Sequence, residues 1–311
     1  MNREQKHWLS LVLQLKGSVI PAILNRVVWC GLFGVFISFA YSLKLPVSQP
    51  IFGTVIPSIV LGLLLVFRTN TAYERFWEGR KLWGGLVNNS RNLARQIWVD
   101  IAEIEPEDRA KKFSALRLLV AFAVATKLHL RAEPVNTELE GLMSPSQYFK
   151  LKTMNNPPLE IAFWIGDYLQ QQSNRKTLNA YQLPTLQGLL NNMVDVLGGC
   201  ERILRTPMPL AYAIHLKQLL LLYCLLLPFQ MVAQVGWWTG PLVSLVSFTL
   251  FGIEEIGIEI ENPFGYDAND LPLDAICATM RRNIEDLITL APGVETYTEG
   301  SLKNDGFLND G

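Results

Sequence analysis

The sequence is short of charge for its length. Of 311 residues, 18% are charged and 50% are hydrophobic, whereas a soluble domain usually carries about 25% charged residues. The net charge is −1, so there is no basic surplus that would favour nucleic acid as a partner. This balance predicts a chain that lies partly in lipid and partly in water.

Cysteine and histidine are also scarce, and neither forms a recognisable site. The four cysteines lie far apart and match no metal-ligand spacing, which favours free buried thiols. The three histidines are isolated from one another, which is typical of surface or interface residues rather than ligands. These residues are Cys30, Cys200, Cys224, Cys277, His7, His129 and His215.

Catalytic and nucleotide-binding motifs are absent from the sequence. It contains no Walker loop, no GxGxxG after a strand, and no GxSxG, HExxH or CxxC motif. A pump driven by ATP and the common enzyme classes are therefore excluded, and no cofactor is predicted. An intramembrane enzyme using Glu254 or Glu255 would lack a neighbouring histidine, serine or metal group. Passive transport, scaffolding and sensing remain.

Three long stretches carry no charge at all. They run over Val27–Leu43, Leu45–Phe67 and Gln218–Ile253, with 17, 23 and 36 residues. As one helix, the third would be about 54 Å long, which exceeds the roughly 30 Å of a bilayer core. Glycine and proline in GWWTGP, at 236–241, provide a break, and the two tryptophans suit the headgroup region.

The breaks predict an all-α, multi-pass membrane protein with four spans in two hairpins. The expected spans are 27–43, 51–67, 219–238 and 241–258. Basic residues flank the outer ends of these hairpins, so the positive-inside rule places both termini in the cytoplasm. The expected membrane is a plasma (inner) membrane, with a thylakoid-type membrane as the alternative.

The remainder, 68–217 and 259–311, is expected to be a cytoplasmic helical region continuous with the spans. Apolar residues recur at helical spacing over Thr71–Trp98, Ala110–Leu130 and Leu183–Leu204. Residues 131–159 are polar and rich in turn formers, so a surface loop is predicted there. No linker separates these parts, and residues 1–311 are interpreted as a single domain.

Three motifs in register resemble one known family. They are LLLVFRTNTAYERFWEGRKLWGGL at 63–86, CERILRTPMPLAY at 200–212 and IEIENPFGYDANDLPLD at 258–274. All three are similar to segments of the bestrophins, including the bacterial and plant-organelle members, and the resemblance extends over roughly residues 5–290. It implies a homopentameric ion channel with one axial pore, with self, the lipid bilayer and small monovalent ions as partners.

The resemblance also implies where the pore is narrow. Its apolar neck maps onto Ile59, Leu63 and Phe67, which share one helix face at i, i+4 and i+8. From the residues alone, a lipid-facing or packing role stays open, because nearly every position from 59 to 67 is apolar. A second aperture, deep in the cytoplasmic part of family members, maps onto Met208 between two prolines.

The calcium clasp of animal bestrophins has a weaker counterpart here. Asn262, Asp267 and Asp270 are the candidate ligands, and calcium usually takes 6–8 oxygen ligands, several of them carboxylates. Two carboxylates and an amide make a poor site, so no metal is predicted.

A charge cluster is expected where the spans meet the cytoplasm. Glu254 and Glu255 are predicted to pair with Arg68, Arg75 and Arg80, because a carboxylate in lipid would be costly without a partner.

These observations favour a passive channel that conducts chloride or other monovalent anions. The plant-organelle character of residues 67–83 supports anions, and a channel of the same fold selective for Na⁺ or K⁺ is the alternative. A non-conducting membrane scaffold is the alternative from another class.

Overall fold

The structure is a computed structural model that describes residues 10, 14–49 and 55–289. Within these residues all regular secondary structure is helical, which confirms the all-α prediction. The α-helices discussed below are α1 (Ile20–Ser42), α2 (Val55–Asp100), α3 (Asp108–Leu130), α4 (Pro145–Leu151), α5 (Pro157–Asn174), α6 (Gln182–Arg205), α7 (Leu210–Val235), α8 (Thr239–Glu259) and α9 (Leu273–Thr289).

A small helical bundle of α1, α7, α8 and the first part of α2 holds the most apolar segments. α1 packs mainly against α8, and α7 and α2 also pack against α8. The buried residues shared by these helices form one apolar cluster that includes Ile23, Leu61, Leu65, Leu220 and Val243. Much of the outer surface of the bundle is also apolar, as Trp29 and Phe36 show with 73% and 61% exposure.

Three stretches of the described chain are long and apolar enough to cross a membrane: Ile20–Ser42, Asp108–Leu130 and Leu210–Glu259. Protein covers 78% of the apolar window of α3 but only 33% and 28% of the other two. The apolar surface of α3 is therefore used in packing, which suits the predicted cytoplasmic body. The second expected span, 51–67, is described only from residue 55 and is not among the three, so the number of spans stays a prediction.

The turn between α7 and α8 lies where the sequence places it. α7 ends at Val235, a 3₁₀ turn covers Gly236–Trp238, and α8 begins at Thr239. Gly236 has a φ of +53°, which glycine adopts without the steric cost of a side chain. Its carbonyl accepts hydrogen bonds from Ser38 Oγ of α1, at 3.0 Å, and from Thr239 Oγ1, at 2.6 Å. The hairpin is thereby fixed to α1.

α2 connects this bundle without a break to a second helical body that it forms with α3, α5, α6 and α9. Its 46 residues give a length of about 69 Å at 1.5 Å per residue, more than twice the thickness of a bilayer core. At the C-terminal end of α2, Lys112 of α3 satisfies free carbonyl groups: its Nζ donates to the carbonyls of Trp98 and Ile101 at 3.3 and 2.7 Å. The helix is continuous from Val55 to Asp100, while the single-domain organisation and the cytoplasmic location of its lower part stay predictions.

The second apolar cluster belongs to the body formed by the lower part of α2 with α3, α5, α6 and α9. Trp83, Phe122 and Phe264 are among its largest fully buried side chains. All four cysteines are buried and free, as predicted.

One local prediction is wrong. The segment 131–159 is not only a loop, because it contains a 3₁₀ turn at Glu140–Leu142 and the short helix α4. Ser144 and Gln147 form a capping box at the start of α4, with Pro145 in its first turn. This pattern is a recognised signal for a helix start, and it was available in the sequence.

Candidate pore-lining surface

The predicted neck residues lie on one exposed stripe of α2. Ile59, Leu63 and Phe67 are 56%, 53% and 62% exposed in the single chain. Leu61 and Leu65 point the other way into the bundle and are 3% and 2% exposed. The helix therefore has one apolar face that packs and one that no described part of its own chain covers. Their role as a neck stays a prediction.

Arg68 directly follows this stripe and is almost completely buried at 4% exposure. Its Nη2 donates to Glu261 Oε2 at 3.1 Å, and its Nη1 lies 3.0 Å from Met208 Sδ. Glu261 Oε1 in turn accepts from the backbone N–H of Met208 at 2.9 Å. One carboxylate thus joins the end of the stripe to the turn before α7.

Arg75 lies two helical turns further along α2 and binds backbone carbonyls of the same two segments, the end of α6 and the residues after α8. Its Nε donates to the carbonyl of Glu261 at 3.2 Å, and its Nη2 donates to the carbonyl of Ile203 at 2.6 Å. Its Nη1 donates to the carbonyl of Thr206. An arginine commonly satisfies the last carbonyls of a helix in this way, here those of α6.

We name the set Arg68, Arg75, Met208 and Glu261 the exit network, because it lies where α2 leaves the bundle. Met208 was expected at an aperture deep in the cytoplasmic part; in the structure its sulfur contacts Arg68, the residue that follows Phe67, and its role as an aperture stays a prediction. The two flanking prolines hold the turn in an extended path, since Pro209 has φ −52° and ψ 125°. Any constriction formed by Met208 would lie next to the lower end of the stripe.

The predicted partners of the two glutamates on α8 are also wrong. Glu254 and Glu255 lie closest to Arg26 of α1, whose Nη1 is 3.9 Å from Glu254 Oε2 and 3.1 Å from Glu255 Oε2. Arg68 takes Glu261 instead, and Arg75 binds carbonyl oxygens. Arg80 is exposed and has no ion-pair partner among the described residues. The sequence shows that Arg26 lies near the start of an apolar segment, but it does not show that α1 packs against α8. The pairing of Arg26 with these glutamates therefore follows from the tertiary structure alone.

The candidate calcium ligands lie together in the loop between α8 and α9. Asp270 Oδ2 accepts the backbone N–H of Asp267 at 2.7 Å, while its Oδ1 is buried and has no hydrogen-bond partner among the described residues. Asn262 Oδ1 accepts the N–H of Phe264 at 3.3 Å. Burial raises the pKa of Asp270 above its usual value, against the opposing hydrogen bond from Asp267. In the described part of the chain, no cluster of three metal-ligating side chains is present.

Sequence reasoning missed Glu261, although it lies inside a quoted motif. Its carboxylate is 19% exposed and makes the only ion pair of Arg68 within the described residues. The signal was the spacing of acidic residues in IEIENPFG, where Glu259 and Glu261 follow the apolar end of α8. Only the fold shows which of them turns toward α2.

The fold and these contacts define an all-helical integral membrane protein with an uncovered apolar stripe above a charged network. The family described as bacterial/fungal bestrophin protein matches residues 1–286 of the chain. The chain belongs to the bestrophin family. This confirms the resemblance found in the sequence and identifies a channel-type membrane protein rather than an enzyme.

Relatives with assigned names match nearly the whole chain. The voltage-dependent anion channel-forming protein alr2987 of Nostoc sp. is 71% identical over 98% of this chain and 99% of its own length. The voltage-dependent anion channel-forming protein sll1024 of Synechocystis sp. is 58% identical over 94% of this chain and 95% of its own length.

A solved structure shares the fold. A crystal structure of a bacterial bestrophin homologue from Klebsiella pneumoniae has a TM-score of 0.77 and 29% sequence identity. The match covers 87% of this chain and all of the Klebsiella chain.

Proposed function

We propose that this chain forms a passive anion channel, with chloride among the permeant ions. The observation that carries the proposal is the uncovered apolar stripe of α2, in a chain that is 71% identical to a protein named as anion channel-forming. The same proposal includes four spans, both termini in the cytoplasm and a plasma (inner) or thylakoid-type membrane.

The pore is proposed to lie on the axis of a homopentamer, with one α2 from each copy around it. Exposed apolar patches of this kind commonly mark assembly or lipid contact. When several copies surround a narrow axial path, their apolar stripes face one another across it. Ile59, Leu63 and Phe67 would then form stacked apolar rings. Such rings control conduction through wetting and bulk, and not through fixed charge.

The charge below the rings is compatible with either ion sign. Arg68 is the cation closest to Phe67 in sequence, yet its guanidinium is shared with the Glu261 carboxylate. The Arg68–Glu261 pair is therefore formally neutral, whereas Arg75 binds carbonyl oxygens and leaves the exit network with one positive charge, which does not by itself decide the ion sign. Support for anions comes from the named relatives, and a direct selectivity measurement is the deciding test.

Purified protein in planar bilayers with asymmetric potassium chloride provides that measurement. We expect a reversal potential close to the equilibrium potential of chloride. A value close to that of potassium would replace the proposal with the cation channel, and no current at any voltage would favour the scaffold.

The neck assignment has its own test in the same preparation. Leu63→Ala and Phe67→Ala are expected to raise the single-channel current, because each removes bulk from the narrowest part of an apolar pore. Phe36→Ala is the matched control, since Phe36 is equally exposed at 61% but lies on α1. Unchanged current in both neck variants, or an equal rise in the control, would remove these residues from the pore.

A further inference from the structure

A groove on the bundle combines apolar walls with two basic side chains. It is a cavity of about 410 Å³ between α1, α7 and α8. Trp29, Leu221 and Phe251 supply apolar wall, and Arg26, Lys217 and Glu254 line its charged end. Among the described residues, none on α2 contributes to it, so it is separate from the candidate pore-lining surface.

The basic groups of this groove retain free hydrogen-bonding capacity. The carboxylate contacts of Arg26 all use Nη1, which leaves its Nε and Nη2 without a described partner. Lys217 is exposed, and no hydrogen bond or ion pair engages its Nζ within the described residues. Both side chains lie about two helical turns from the start of their helices and line the same cavity as Glu254.

The accessible charge in the groove is positive even though a carboxylate lies beneath it. The Glu254 side chain is 3% exposed, whereas that of Arg26 is 47% exposed. A group entering from the membrane would therefore meet two cations first. Trp29 and Leu221 extend the groove along the bundle and are 73% and 52% exposed, which suits contact with an acyl chain.

We propose that this groove binds an anionic glycerophospholipid. The headgroup phosphate would accept hydrogen bonds from Arg26 and Lys217, and one acyl chain would lie against Trp29 and Leu221. Basic pockets between membrane helices are known to hold anionic headgroups, and guanidinium and ammonium groups are the usual donors to phosphate. A zwitterionic lipid has the same phosphate but lacks the net charge that these cations attract.

Lipid retention tests the proposal without any measurement of current. The full chain is equilibrated in mixed micelles with equal phosphatidylglycerol and phosphatidylcholine, repurified, and its retained lipids are counted by mass spectrometry. Phosphatidylglycerol should be enriched, and Lys217→Gln should lower the enrichment about fivefold, the effect of one cation near an anionic headgroup. Lys217→Arg should keep it, as should Lys111→Gln, a control that removes the same charge from the exposed surface of α3.

A second measurement needs no variant: phosphatidylglycerol, but not phosphatidylcholine, should raise the thermal midpoint of the wild-type protein. Equal retention of both lipids, or equal enrichment in wild type and Lys217→Gln, would overturn the proposal. Interchain crosslinking of Leu221→Cys would overturn it as well, because a second copy would then cover the groove. Since neither lipid readout involves ion flux, the result stands apart from the proposed conduction.

Discussion

Glu261 is the residue on which most contacts of the exit network converge. Its two carboxylate oxygens accept from Arg68 and from the backbone of Met208, and its own carbonyl accepts from Arg75. The guanidinium of Arg68 is buried, and its Nε has no hydrogen-bond partner within the described part of the chain. A buried cation that loses its carboxylate is strongly destabilising, because its desolvation is no longer offset.

Glu261→Gln should therefore lower the thermal midpoint of the purified protein, by an amount corresponding to about 1–3 kcal/mol, because the Glu261 side chain is partly exposed and glutamine keeps one acceptor oxygen. Glu78→Gln is the matched control: Glu78 pairs with Arg202 at 2.6 Å, but both side chains are exposed, at 46% and 65%. An exposed pair contributes about 0–1 kcal/mol. Equal shifts in the two variants would show that Arg68 does not depend on Glu261.

Asp270 offers a test with a pH dependence. Burial raises its pKa in the folded protein, so the folded state holds this proton more tightly than the unfolded state. Charged Asp270 thus costs stability at neutral pH, and the cost disappears as the pH falls through the raised pKa.

Asp270→Asn should consequently raise the thermal midpoint at pH 7, by about 1–3 °C. Its Oδ1 can still accept from the backbone of Asp267 after the amide rotates. The gain should shrink as unfolding is followed toward acid pH, where wild-type Asp270 is also neutral. A gain that stays constant with pH, or a loss at neutral pH, would contradict this account.

Among the elements, α1 and α8 approach each other through glycines. A Cβ built on Gly34 would lie 3.0 Å from the Gly240 Cα, and one built on Gly240 would lie 2.5 Å from Val35 Cγ2. Small residues allow membrane helices to pack closely, where dispersion rather than water exclusion holds them together. The backbone of Gly240 cannot move aside as a flexible side chain would.

Gly34→Ala should destabilise the bundle by about 1–3 kcal/mol, since the added methyl forces the two backbones apart. Gly188→Ala is the matched control, because a Cβ there meets nothing within 4 Å and alanine favours a helix over glycine. Unfolding in mixed detergent, followed by circular dichroism, compares the two. Equal stability of both variants would show that the α1–α8 contact tolerates separation.

At the scale of the whole molecule, α2 is the helix that each copy contributes to the axis of the proposed assembly. One rigid helix runs from the apolar stripe to the core of the second helical body, so copies that place their stripes around one axis must also be oriented in that body. The assembly should therefore have one fixed number of copies.

Light scattering with the detergent mass subtracted should give a protein mass of five chains of 35.1 kDa. The mass should persist after dilution, as expected if a long continuous surface is buried. A chain that is monomeric while still conducting would disprove the axial pore, whereas a stable assembly of another size would change only the number of copies.

The sequence alone predicted features that follow from composition along the chain. Uncharged length predicted lipid contact, glycine and proline predicted the break at 236–241, and period 3.6 predicted α6 within a residue at each end. The three motifs also sufficed for the family. These inferences are local, since each depends on residues close together in the chain.

Tertiary structure decided which partners meet. Arg26 and Glu255 are 229 residues apart in the chain and 3.1 Å apart in space, and nothing in either segment specifies that contact. The same holds for Met208 beside Arg68 and for the covered and open faces of α2, where every residue from 59 to 67 is apolar or glycine. Hydropathy predicted that α2 enters lipid, but residues 59–67 are apolar on every side of the helix, so only packing decided which face of α2 was left open.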